Sequence, residues 1–181
     1  MVAGAARLLA ERGLQATSFS EILEVTSSPR GSVYHHFPGG KEQLVKAALD
    51  LVSARMGAAF SPEPGATAEE VGALFLDAWR NILKRFRFTT GCAVVAVTVS
   101  TKSPELLGQV GAIFRAWRGR LTDLFVQGGL EPKAAARFAV TLIAASEGAV
   151  VLSRAEQSLE PFDLVADELL AQMRALARNR S

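Results

Sequence analysis

The chain has 181 residues, 49% of them hydrophobic, and 20 Lys and Arg against 18 Asp and Glu leave a formal charge of +2. That length and apolarity support one sizeable core or two small ones and exclude a disordered tail or spacer, while the near-neutral balance does not announce a strongly basic nucleic-acid binder. One cysteine, Cys92, and two adjacent histidines, His35 and His36, exclude an intrachain disulfide and a zinc site built from several Cys or His, so neither metal nor cofactor is expected.

No run approaches 18 uninterrupted apolar residues and no signal-peptide pattern follows Met1, so a cytoplasmic protein without a membrane partner is expected. Seven prolines and ten phenylalanines in a chain rich in Ala and Leu favour an all-α fold. Val2 to Glu11 reads as a first short helix stopped at Gly13. A second starts at Thr17 or Ser18, with Glu21 placed for a capping box and Phe19, Ile22 and Leu23 as its apolar side. Ser28-Pro29 caps a third, to about His36, before Pro38-Gly39-Gly40 stops it. From Lys41 a longer helix carries Leu44, Val45, Ala48, Val52, Met56 and Phe60, and Ser61-Pro62-Glu63-Pro64-Gly65 is the clearest break.

Beyond it, Val71, Phe75, Ala78, Ile82 and Phe86 recur at helical spacing. The β-branched stretch Gly91 to Thr101 permits a strand by composition, but no partner strand exists in the sequence, so a helix is preferred. Ser103-Pro104 opens a helix with Leu107, Val110, Phe114, Trp117, Leu121 and Leu124 on one face, ending at Gly128-Gly129. Pro132 opens another to about Ser153 that is apolar nearly all round and must be covered on most sides. Pro161 opens the last, with Phe162, Val165, Leu169, Met173 and Leu176 as its face. The expected domains are residues 1–45, a three-helix helix-turn-helix unit, and residues 46–181, a helical regulatory and dimerisation bundle, joined by the linker helix that starts at Lys41.

Two short helices separated by a tight turn can set the second into the DNA major groove. In that reader, Arg30 offers a five-donor fork suited to guanine O6 and N7, Ser32 a small polar group, and Gly31 a close backbone approach. Tyr34, His35, His36 and Lys41 are donors able to meet phosphate oxygens, while Val33 and Phe37 would hold the reader against Phe19 and Ile22. Residues 1–50 hold five cations and five carboxylates, so one unit would bind DNA feebly, and two copies on neighbouring half-sites are required.

The run TSFSEILEVTSSPRGSVYHHFPGGKEQLV, Thr17 to Val45, resembles the DNA-binding signature of TetR-family repressors, especially the LmrA/YxaF-like branch with its FPGGKEQL turn. The resemblance puts Arg30, Gly31, Ser32 and His35 against bases and Thr17, Tyr34, His36 and Lys41 against phosphates of double-stranded DNA. Where the family has Ala-Gly-Val in the turn, this chain has Thr26-Ser27-Ser28, which loses the glycine that accepts a positive φ.

In the C-terminal part, helices 132–153 and 161–178 are the candidates for a homodimer interface, since two from each chain make a four-helix bundle. Phe75, Trp79, Phe86 and Cys92, with Phe114, Trp117 and Phe138, supply more aromatic surface than a thin helical layer needs. Plain core and a small-molecule cavity both account for it; the resemblance implies a pocket for an effector, of apolar or aromatic type, with Arg80, Thr89 and Thr98 as polar contacts. Cys92 is read as a small hydrophobe, with redox sensing as the alternative. The expected function is therefore a ligand-responsive repressor, homodimeric on a palindromic operator and released by its effector. An enzyme is not expected, since both histidines sit in the reader and no nucleophile-elbow serine exists. The remaining alternative is a helical adaptor with a degenerate DNA-binding unit.

Overall fold

The computed structural model describes residues 1–27 and 35–178, and these form helices and connecting turns without a strand. The helices are α1 (Val2–Arg12), α2 (Phe19–Thr26), α3 (Gly40–Ala59), α4 (Ala68–Arg85), α5 (Ala93–Ser100), α6 (Pro104–Gln127), α7 (Pro132–Glu156) and α8 (Glu160–Arg178). His35 and His36 are also helical, while the expected start of their helix at Ser28-Pro29 and the packing residue Val33 lie outside the described residues. The chain folds as two compact units, Met1–Arg55 with Gly91–Ile113, and Met56–Thr90 with the segment from Phe114 onward. These divide the chain differently from the expected 1–45 and 46–181, because Gly91 to Ile113 folds with the N-terminal helices.

In the first unit, Ala5, Leu8 and Leu9 of α1 are buried at helical spacing. The helix ends where Gly13, at φ 77, returns its N–H to the Leu9 carbonyl at 3.0 Å. α1 packs on α2 and α5. Gly4 lets α2 come close, since a Cβ there would stand 2.4 Å from Thr26 Cγ2. The β-branched α5 is helical as expected: with no strand to pair with, its backbone groups bond within the helix, and the Gly91 N–H joins it to the Ala10 carbonyl at 2.9 Å. The Gln109 amide of α6 donates to the Lys46 carbonyl (3.0 Å) and to Asp50 (2.7 Å), fixing the start of α6 on α3.

In the second unit α4 packs on α7 and α8, which pack on each other. Phe75, Leu76, Trp79 and Leu83 of α4 form its buried face. Thr67 and Glu70 make a reciprocal capping box that starts the helix. Arg80 donates to Asp163 of α8 at 2.7 Å and to Asp77, and its guanidinium lies 5.9 Å from the Phe162 ring centre. The turn from α7 to α8 closes on Ser153, whose buried hydroxyl accepts the Phe162 N–H at 3.1 Å.

One expected face was misplaced. α6 buries Leu106, Val110, Ile113, Trp117, Leu121 and Phe125, whereas Leu107 is exposed and Phe114 and Leu124 are only half-buried. The apolar doublets at 106–107, 113–114 and 124–125 fit either of two stripes about 100° apart, and tertiary packing selects between them.

Gly128 is where α6 must end close to the head of α4. The Ala68 N–H bonds its carbonyl at 3.1 Å, and a Cβ on Gly128 would sit 2.3 Å from the Ala68 nitrogen. The obstacle is backbone, which cannot rotate away. Gly128→Ala should lower stability by about 2–3 kcal/mol, measured by chemical denaturation, through overpacking.

Candidate functional site

The DNA-reading segment begins at a well-made helix start. Ser18 Oγ accepts the Glu21 N–H at 3.3 Å while Glu21 accepts the Ser18 N–H at 2.9 Å, so two otherwise orphaned donors are satisfied. The Ser18 N–H, then its hydroxyl, then Arg12 hold the Glu21 carboxyl below its usual range. α2 stops at Ser27, which takes φ 49 and ψ 35, the left-handed conformation where the resembling family places glycine. The chain therefore keeps the turn's backbone geometry while accepting the steric cost of a Cβ.

Arg30, Gly31, Ser32 and Tyr34 lie outside the described residues, so their expected DNA roles stay expectations. His35 and His36 are both exposed, with ring centres 5.2 Å apart in an edge-on arrangement. Lys41 Nζ donates to the Leu14 carbonyl at 2.8 Å, which ties the head of α3 to the turn after α1 and leaves the ammonium two further donors. Thr17 requires a correction. Its side chain is 0% exposed and its hydroxyl donates to the Gly13 carbonyl at 2.7 Å, so it shapes the turn before α2 and does not present a group to phosphate. Among the other cations, Arg7 pairs with Glu11, Arg12 with Glu21 and Lys46 with Glu42.

The expected effector residues fall in both units. Phe75 packs edge-on against Phe60 with centres 5.4 Å apart, Phe138 against Phe125 at 5.7 Å, and Phe114 against Trp117 at 5.7 Å. Trp79 is buried and Phe86 half-buried in the same unit, and Cys92 heads α5 in the first unit. The expected polar contacts are engaged elsewhere: Arg80 by Asp77 and Asp163, Thr89 by the Phe86 carbonyl and Thr98 by the Val94 carbonyl, each hydroxyl at 2.7 Å. Among the described residues, Trp117 Nε1 and Thr90 Oγ1 are buried polar atoms of the second unit without a protein partner. No sequence signal marks them, because an unmet donor is defined by what its neighbours fail to offer.

A capped α2 ending in a left-handed residue, followed in the chain by exposed histidines and a long helix, with a second helical unit in the same chain, fits the class of helix-turn-helix regulators. The comparisons agree. Residues 1–48 match the profile of bacterial regulatory proteins of the tetR family, and residues 68–168 match that of the LmrA/YxaF-like transcriptional regulator C-terminal domain. The HTH-type transcriptional regulator Rv0196 of Mycobacterium tuberculosis is 34% identical over 176 residues, covering 93% of this chain and 90% of that one. The HTH-type transcriptional regulator LmrA of Bacillus subtilis is 24% identical over 178 residues, covering 89% and 88%. In fold, a TetR regulatory protein from Rhodobacter sphaeroides superimposes with a TM-score of 0.83 at 19% identity, covering 94% of this chain and 95% of that one. The chain belongs to the TetR family of transcriptional regulators, with an LmrA/YxaF-like C-terminal domain.

The left-handed serine gives a direct test of the turn. Ser27→Gly removes the Cβ clash at no cost in contacts, and should raise stability by about 1 kcal/mol, a melting shift of about 2–4 °C at fixed protein concentration. An unchanged or lower melting temperature would show that Ser27 carries no such strain.

Proposed function

We propose that this regulator is a ligand-responsive repressor that acts in the cytoplasm, binds a palindromic operator as a homodimer and is released by a small apolar or aromatic effector. The observation that carries the dimer is α7. Val140, Ala144, Val151 and Leu152 recur along one exposed stripe of it, with Val151 at 59% exposure, and α8 adds Leu164 at 66%. Its most apolar 18-residue window has a mean hydropathy of 1.6, enough by length and composition to cross a membrane, and 44% of it is buried inside the single chain. In a TetR-type regulator the uncovered part fits a second copy of the same helices, about 1,500 Å² of mainly apolar surface being usual for a stable dimer.

Charge supports the same arrangement. Residues 1–50 carry Arg7, Arg12, Arg30, Lys41 and Lys46 against Glu11, Glu21, Glu24, Glu42 and Asp50, so a single reader has little attraction for a duplex. Two readers held about 34 Å apart, or a multiple of it, double the phosphate and base contacts. Residues 1–45 would then do the reading, Arg30, Gly31, Ser32 and His35 on bases and Tyr34, His36 and Lys41 on phosphates, and residues 46–181 the sensing and pairing. Effector and operator would favour different reader separations, which is what makes one displace the other.

Fluorescence anisotropy with DNA from upstream of the protein's own gene, at two salt concentrations, tests the reading. Arg30→Ala should weaken specific binding about tenfold or more and relax the preference at one base pair of each half-site. A confirmed dimer with no sequence preference at all would favour the adaptor alternative.

For the interface, Val151→Glu should turn the dimer into monomer in sedimentation, with unchanged helicity, and lower operator affinity about a hundredfold or more. A dimer that survives the buried charge would place the interface elsewhere.

A further inference from the structure

The end of α4 and the turn after it read Lys84-Arg85-Phe86-Arg87-Phe88 and lie wholly within the second unit. From Ala78 to Pro104 the chain carries Arg80, Lys84, Arg85, Arg87 and Lys102 and no carboxylate. Lys84, Arg85 and Arg87 are exposed, and among the described residues none of the three is paired with a carboxylate; Asp77, the acid that precedes them, is taken by Arg80. Cations in the last turn of α4 suit its dipole. Arg87 goes further: it takes φ 47 just past the helix end, where glycine is preferred, and Phe88 follows at φ 60. The Arg87 and Phe88 N–H groups close the helix on the Lys84 and Leu83 carbonyls at 3.2 and 3.0 Å, bonds that glycine would make equally well. The chain therefore holds a third cation and a half-buried ring in a conformation that costs energy.

We propose that this turn is a docking site for an acidic peptide segment of a partner protein, one in which carboxylates alternate with apolar side chains. This goes beyond the regulator reading above and does not rest on it. Charge complementarity calls for the carboxylates. The apolar component follows from Phe86 and Phe88, both half-buried, with the Arg85 guanidinium 5.7 Å from the Phe86 ring centre, so that charge and ring are presented together. The N–H groups of Phe86, Arg87, Phe88 and Thr89 are all bonded to nearby carbonyls, which leaves recognition to the side chains. Arg154 of α7 donates to the Thr89 carbonyl at 3.0 Å and holds the turn in place before a partner arrives. The phosphate backbone of duplex DNA would use the cations and leave the rings idle, and a lipid surface would need an apolar face wider than two half-buried rings.

The test uses the full-length protein and a fluorescein-labelled peptide of four Glu-Leu-Asp repeats, followed by anisotropy. Wild type should bind it saturably, and an oligoglutamate of the same length about tenfold less tightly. Arg87→Gly should weaken peptide binding about threefold, the usual worth of one exposed charge pair, while raising the melting temperature by about 2–4 °C. A purely structural arginine would not separate those two readings. Lys84→Gln and Arg85→Gln added to Arg87→Gly should cost tenfold or more in affinity with unchanged helicity. No binding of the peptide by wild type, or equal binding of oligoglutamate, overturns the proposal. So does a triple variant that keeps its peptide affinity, that loses as much affinity for an unrelated DNA duplex or for phosphatidylglycerol vesicles, or that changes its oligomeric state in sedimentation; these last outcomes would assign the turn to nucleic acid, to lipid or to pairing of the chain.

Discussion

α7, 25 residues long, buries one arc and leaves Val140, Val151 and Leu152 exposed on the other, and in the dimer proposed above that constraint would organise the molecule. One arc of α7, with Phe138, Leu142, Ile143, Ala149 and Val150, is buried, and α4 and α8 pack on this helix. The opposite arc carries Val140, Val151 and Leu152, which a solvated helix would replace with charges. Burying each such side chain gains about 2 kcal/mol. Across two copies that reaches the order of 10 kcal/mol, comparable with the roughly 4–15 kcal/mol that association costs. The α7 stripe alone would bring pairing near balance. In the proposed dimer, exposed Leu164, Ala171 and Ala175 of α8 would be needed to tip it, and Ala144 and Gly148 of α7 would let backbones approach.

The reader depends on that pairing because its own electrostatics are spent internally. Arg7, Arg12 and Lys46 each face a carboxylate within 3.1 Å or less. Exposed pairs of this kind add little to stability, but they do dilute the positive field that would draw a duplex. With these three cations paired, the unit would bind a duplex weakly without sequence preference and with a shallow dependence on salt. Discrimination between sequences would then fall on base contacts at the reader helix, where each good bidentate pair is worth about 1–3 kcal/mol. A neutral reader of this type gains selectivity by giving up tenacity.

Much of this was legible in the sequence, and the parts that were not share a physical cause. Ser18 with Glu21 marks a helix start by chemistry local to four residues, and the structure closes that box. Thr67 with Glu70 closes a second such box, which the periodicity did not mark and which starts α4 at Ala68, about a turn before Val71. Ser27 could be placed at a left-handed turn because the family pattern has glycine there, and its φ of 49 agrees. The phase of α6 was not legible, since doublets such as Ile113-Phe114 leave the stripe open until neighbouring helices choose it. Nor was the burial of Thr17, whose side chain bonds back to Gly13 over a single turn, or the folding of Cys92 with the N-terminal helices, which depends on long-range contacts between α1 and α5.

In the ligand-responsive reading proposed above, α6 is the element through which a bound effector would be felt at the reader. α6 is continuous from Pro104 to Gln127; its residues to Ile113 fold with the N-terminal helices, and those from Phe114 fold with α4, α7 and α8. Its early turns are not loosely attached, because Gln109 is hydrogen-bonded to Lys46 and Asp50 of α3, the helix that follows the reader segment. Only a ligand that prefers one arrangement of the readers can shift their equilibrium, so in the ligand-responsive reading proposed above the effector would have to distinguish positions of α6.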